Sequence, residues 1–265
     1  MIERIKNVVC IRWGDPSFYS SKHVNNLCRS VLRNISGRVN FYCFTDNPDG
    51  LDDNIIAKAL PILRNVEKVG CAIYKKEAGL CDDGLGELNG QRVLYFDLDT
   101  TIVDNIDPFF EIPEGDGFYI IKDWNHGENT KVGQASCYSW RVGTLGHVKS
   151  YFEENYEEIY KKFGSASQEY LSSKVFEKFG EINFWPDTWC RSFKRHCLPN
   201  PIIPFLRKFR MASIPAGAKI ICFHGRPKAE DAVQGLWPGQ AWYKRLFYKH
   251  LKPVTWLEDY LDIPR

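Results

Sequence analysis

Apolar positions along the chain fall into short unbroken runs separated by polar, turn-rich stretches, and a few longer segments carry a three-and-four spacing instead. Asn7-Val8-Val9-Cys10-Ile11 is continuous and apolar and ends at Arg12-Trp13-Gly14-Asp15-Pro16, which predicts a buried strand and then a loop. Val24, Leu27, Val31, Leu32 and Ile35 recur at helical spacing until Ser36-Gly37 stops them. Residues 39–45 alternate and are aromatic, a second strand closed by Asp46-Asn47-Pro48-Asp49-Gly50. Strand, helix, strand within the first 45 residues predicts a parallel α/β beginning. A third strand, Arg92-Val93-Leu94-Tyr95-Phe96, runs into Asp97-Leu98-Asp99. Further short strands are predicted at 118–121, 136–142 and 219–223, helices at 146–163 and 166–179, and a basic aromatic helix around 242–250. With no repeat and no low-complexity linker, one domain over residues 1–265 is the expectation.

Composition adds limits. A chain of 265 residues, 44% apolar and 26% charged, buries roughly three quarters of its unfolded surface, so it needs no staple to fold. Lys+Arg 35 against Asp+Glu 33 is too balanced for an obligate nucleic-acid binder, so any anionic ligand must be met locally. No run approaches the ~20 apolar residues of a membrane span, and Met1-Ile2-Glu3-Arg4-Ile5-Lys6 does not read as a signal peptide. The nine cysteines are scattered, with Cys10, Cys43 and Cys222 inside strand-like runs, which favours a reducing, cytoplasmic setting.

The chemistry concentrates at strand ends. Asp97 and Asp99 follow a buried apolar strand, where open α/β sheets place their ligands. Hard carboxylate oxygens suit Mg²⁺ or Mn²⁺, bound through one or two carboxylates plus substrate phosphates. A second apolar run, Ile220-Ile221-Cys222-Phe223, feeds His224-Gly225-Arg226-Pro227-Lys228. There the imidazole is a candidate third ligand, the glycine permits close approach of a phosphate, and the lysine supplies a point charge.

These stretches together, with Val-Val-Cys-Ile-Arg-Trp-Gly-Asp at the start and Cys-Phe-Thr-Asp at 43–46, resemble bacterial glycosyltransferases of the GT-A fold. The ordering is similar to the glycogenin and lipopolysaccharide-galactosyltransferase family, family 8, whose late motif reads His-x-Gly-x-x-Lys-Pro. The resemblance implies a Rossmann-like domain with a mixed, mostly parallel central sheet, a UDP-sugar as donor, and Mn²⁺ or Mg²⁺ held by Asp97, Asp99 and His224. It implies diphosphate contacts from Gly225 and Lys228, nucleoside contacts from Arg12, Trp13, Asp15 and Asp46, and a basic residue before the D-x-D strand at Lys75 or Lys76. Gln168 falls beside the reacting sugar. Ser167 stands where relatives carry an aspartate, which leaves the sugar and acceptor assignments open. An inverting enzyme would need a carboxylate base, for which Asp123 and Glu169 are candidates; the late motif leans towards retention. The acceptor class implied is a glycan or glycolipid of the bacterial surface, lipopolysaccharide or capsule.

Two other readings compete. Asp97-Leu98-Asp99-Thr100-Thr101 also resembles the first motif of haloacid-dehalogenase-type phosphatases, though those carry it on the first strand. Ser167 motivates a catalytically inactive sugar-nucleotide binding module. Three basic aromatic stretches, 193–196, 206–210 and 242–250, read either as solvated faces or as a peripheral contact with an anionic inner-membrane leaflet.

Overall fold

The computed structural model describes residues 5–15, 17–68, 72–127, 129–199, 209–239 and 249–261. The chain forms two compact units: Met1–Asn25, Ser36–Leu98 and Asp107–Trp185 make the first, and Asn26–Ile35, Asp99–Ile106 and Pro186–Arg265 the second.

The first unit is organised by the unbroken apolar runs. β1 (Lys6–Arg12), buried over most of its length, pairs in parallel with β2 (Val39–Thr45) on one side and β4 (Arg92–Phe96) on the other. β3 (Ile55–Ala59) adds to β2 in parallel, and beyond β4 come β7 (Gly133–Arg141), β6 (Tyr119–Lys122) and β8 (Asn183–Phe184). β7 is antiparallel to both β4 and β6, and β6 is parallel to β8. The seven-stranded sheet is thus mixed and mostly parallel, as a strand with polar residues on neither face demands cover on both. The helices α4 (Gly146–Phe163) and α5 (Ser167–Phe179) bury Phe152 and Tyr170 in its core, and Gly180 ends α5 in the left-handed conformation at φ 75°. Tyr95, Tyr138 and Trp140 stack in sequence across β4 and β7, with centroids 4.7 and 5.0 Å apart.

The second unit carries its own three-stranded sheet, β5 (Thr100–Ile102), β10 (Ile220–Cys222) and β9 (Cys190–Ser192), with β10 in the middle. Phe193 and Phe223 stack at 4.5 Å in a core completed by Ile221, Trp237 and Leu257. The helix α1 (Ser21–Arg33) is divided between the units at Asn25.

The expected strands and helices are found within a few residues of their predicted limits. The strand expected at 219–223 belongs to the small sheet rather than the large one, because its partners are β5 and β9. The helix expected around 242–250 falls largely outside the described residues; Lys249 and His250 are in no regular element.

Candidate active site

Every residue of β4 is buried, so Asp97 is the first polar side chain past its carboxyl end. Its N–H continues the ladder to Ser136 O at 2.9 Å. Its carboxylate accepts from Lys76 Nζ at 3.0 and 3.1 Å and from the Tyr95 hydroxyl at 2.6 Å. Lys76 lies on the short helix α2 (Tyr74–Glu77) and is also 3.1 Å from Glu77 Oε1. Burial opposes the Lys76 ammonium, but Asp97 and Glu77 outweigh it and hold its pKa above the ordinary lysine value. Glu77 moves upward: burial and the Asp97 charge disfavour its ionisation more than Lys76 and a hydrogen bond with Ser167 favour it, and among the described residues its Oε2 is buried with no hydrogen-bond partner. The open choice between Lys75 and Lys76 is geometrical. Neighbours on a helix point about 100° apart, and Lys75 turns away to Glu67, 3.8 Å distant.

The loops after β1 and β2 meet because the strands are parallel neighbours. Arg12, buried, donates from Nε to Thr45 Oγ1 at 3.4 Å and from Nη2 to Asn47 O. Gly14 N donates to Asp46 Oδ2 at 3.0 Å, tying the two loops together. Asp15 accepts from Ser17 N at 2.8 Å, which lowers its pKa, and Trp13 packs half-buried against the core.

A third group forms after β6. A register shift between Ile120 and Ile121 and a bond from Asp123 N to Val132 O turn the Asp123 side chain inward. Its Oδ1 accepts from Asn125 N at 2.5 Å and its Oδ2 from Gln168 Nε2 at 2.9 Å, with His126 Nδ1 3.6 Å away. Gln168 and Asp123, 45 residues apart, are therefore one hydrogen-bonded pair. Glu169 does not join it; its Oε2 is buried without a hydrogen-bond partner among the described residues.

In the second unit, Phe223 N donates to Asp99 O at 3.0 Å, which brings the late motif beside the second aspartate. Lys228 Nζ then reaches Asp99 Oδ2 at 2.6 Å, a charge-assisted distance. His224 Nε2 is 2.7 Å from Ser192 Oγ. Gly225 adopts φ +73°, open to glycine without strain.

Each D-x-D carboxylate is thus engaged by a lysine from a different element. Among the described residues no three His, Cys, Asp or Glu side chains are gathered into a metal cage. The donor set is still of the hard-oxygen kind that suits Mg²⁺ or Mn²⁺ when substrate phosphates complete the shell. Tyr95, Glu77 and Ser192 escaped the sequence reading. Tyr95 carried a usable signal, since it lies two residues before Asp97 on one strand face; Ser192 carried none.

No protein-family model matches the chain, and no curated protein matches it in sequence. Solved structures do match. The galactosyltransferase LgtC, in complex with donor and acceptor sugar analogs, is 12% identical with a TM-score of 0.55, over 84% of this chain and 88% of that one. An active-site glutamine-to-glutamate mutant of LgtC is 13% identical with a TM-score of 0.58, over 98% and 97%. Mouse xyloside xylosyltransferase 1 in its apo form is 12% identical with a TM-score of 0.53, over 83% and 98%. The fold is that of the GT-A glycosyltransferases, as the resemblance implied. The D-x-D lies beyond the fourth strand in chain order, unlike the phosphatase arrangement. No helix among the described residues is long and apolar enough to cross a membrane.

Proposed function

We propose that the protein is a metal-dependent glycosyltransferase that moves a sugar from a nucleoside-diphosphate donor, a UDP-sugar, to a glycan or glycolipid acceptor of a bacterial surface polysaccharide. The observation that carries this reading is the strand-end pair Asp97 and Asp99, each held by its own lysine, on a glycosyltransferase fold. Asp97, Asp99 and His224 would hold the divalent cation, which when bound supplies positive charge to the departing diphosphate. Lys228 meets the same charge from the protein side. Arg12, Trp13, Asp15 and Asp46 take the base and ribose, supported by the bond that joins their two loops. Lys76 orients Asp97 and keeps its own proton there.

Gln168 and Asp123 take the reacting sugar. The glutamine in the active site of LgtC supports that part for Gln168. Asp123 already accepts a hydrogen bond on each carboxylate oxygen, which suits a positioning group better than a general base and so favours retention. Glu169, with no link to that pair, is the weaker candidate for a catalytic role.

A thermal-shift screen of nucleotide sugars with and without MnCl₂ tests the reading, because a ligand that binds only the native state raises Tm by mass action. The expected result is a Mn²⁺-dependent shift with one nucleoside-diphosphate sugar and little with the others. No shift with any donor, together with no sugar release in a coupled assay, would overturn it.

A further inference from the structure

Glu77 is a buried acid to which the chemistry above gives no task. Burying a carboxylate is costly unless both of its oxygens are paired. This one is almost wholly enclosed, with Oε1 3.1 Å from Lys76 Nζ and Oε2 without a hydrogen-bond partner among the described residues. Buried Ser167 hydrogen-bonds the same carboxylate from the start of α5. The Lys76 ammonium has three N–H donors; two meet Asp97, at 3.0 and 3.1 Å, and the third faces Glu77. Asp97 has a further donor that does not depend on Lys76, the Tyr95 hydroxyl at 2.6 Å. The backbone that carries the ammonium is held, since the Tyr138 hydroxyl donates to Lys76 O at 3.4 Å and Cys81 Sγ to Glu77 O at 3.1 Å. One ammonium therefore lies between two acids, and its flexible four-carbon stem can turn it from one to the other without moving α2.

Resting on the glycosyltransferase reading above, in which Asp97 is a cation ligand, we infer that Glu77 is a positioning residue that exchanges Lys76 with Asp97: it takes over the ammonium, on its spare Oε2, when Asp97 holds a divalent cation. An ammonium across both oxygens of a carboxylate competes with a metal ion for the same lone pairs. A cation at this range weakens the hold of a carboxylate on a proton by about tenfold or more, and its hold on a metal ion falls for the same reason. Lys76 must therefore loosen its grip for Asp97 to serve, and a buried ammonium cannot be left unpaired without a large penalty. Glu77 is the carboxylate already in reach, with an oxygen to spare. The Tyr95 hydroxyl keeps Asp97 oriented while the ammonium turns.

The test is titration of the full chain with Mn²⁺, alone and with UDP present, on wild type, Glu77→Gln, Lys76→Met and the double variant, with free Mn²⁺ followed by electron paramagnetic resonance. Lys76→Met should bind Mn²⁺ about tenfold tighter than wild type, because the competitor is gone. Glu77→Gln should bind it about tenfold weaker, because the ammonium then keeps to Asp97. The double variant should match Lys76→Met within about twofold, since Glu77 acts through Lys76, whereas independent effects would add. Lys76→Met binding Mn²⁺ no tighter than wild type overturns the inference. So does a double variant that falls as far below Lys76→Met as Glu77→Gln falls below wild type. Where Lys76→Met does not fold, Glu77→Gln decides alone: a lowered Tm with Mn²⁺ affinity within about twofold of wild type marks a merely structural acid and overturns the inference. Each of these results leaves the glycosyltransferase reading standing. Wild type that binds no Mn²⁺ in either condition fails that reading and takes this inference with it.

Discussion

Lys76 Nζ sits 3.0 and 3.1 Å from the two carboxylate oxygens of Asp97, so one ammonium spans the first acid of the D-x-D. Neither partner is exposed, at 12% and 20% of its side-chain surface. Removing one member of a buried pair leaves an uncompensated charge, which commonly costs about 3 kcal/mol. Lys76→Met should therefore lower stability by about that amount in urea denaturation. The double variant Lys76→Met, Asp97→Asn should recover part of the loss, because the stranded carboxylate is gone. Additive losses in the two single variants would show that the pair is not coupled.

Asp99 is the second test of the site. Its carboxylate bonds to Lys228, 129 residues away in the chain, while its backbone carbonyl accepts from Phe223 N, a bond that a side-chain substitution leaves in place. Asp99→Ala should lower sugar transfer by at least about 100-fold, the scale of losing one electrostatic group aimed at developing charge. It should also remove any Mn²⁺ dependence, with the far-UV circular dichroism unchanged. Full transfer activity in this variant would dismiss the carboxylate from the mechanism.

Much of this arrangement is legible in the sequence because strand ends announce themselves. Val93-Leu94-Tyr95-Phe96 reads as a strand buried on both faces, as it is, and the first acid after it falls where open α/β sheets present their ligands. The same logic finds His224 after Ile220–Cys222. What periodicity does not reveal is which partner meets which. The choice between Lys75 and Lys76 needs the direction of a four-residue helix, too short to show a face. The Gln168–Asp123 bond joins a helix to a strand-end turn. In 193–196 the composition marks the basic residues, but not that Phe193 is core and stacks on Phe223. The edge strand β3, Ile55–Ala59, was missed because its pattern is largely exposed, with only Ile55 buried.

Gln168 donates to Asp123 at 2.9 Å, which fixes what a carboxylate at position 168 would do. Gln168→Glu places two acids in hydrogen-bond contact beside a fully buried Asp123 side chain. They cannot both ionise cheaply, so one pKa rises above its unfolded value. A raised carboxyl contributes stability that is complete below its unfolded value, about 4, and lost as pH climbs through the raised native value. Gln168→Glu should therefore match wild type near pH 4 and fall behind it progressively towards pH 7 in thermal melts. A constant gap across that range would mean that the two side chains do not face each other.

Glu77 offers a stability readout of the same region that is independent of any substrate. It is buried beside Lys76, its Oε2 has no hydrogen-bond partner among the described residues, and burial raises its pKa above 4.5 despite the opposing pull of Lys76. With the native value above the unfolded one, the proton stabilises the fold; that contribution is full below 4.5 and fades as pH rises through the native value. Glu77→Gln keeps the shape and abolishes the titration. Wild type should therefore lose ground relative to Glu77→Gln in urea melts as pH is raised from 4 to 7, even if Gln is the less stable of the two at pH 4. A pH-independent difference would show that Glu77 stays ionised throughout. A difference of the opposite slope would show that its attraction to Lys76 exceeds the penalty of burial, and would make the Glu77–Lys76–Asp97 chain a stabilising ion network rather than one strained around the lysine.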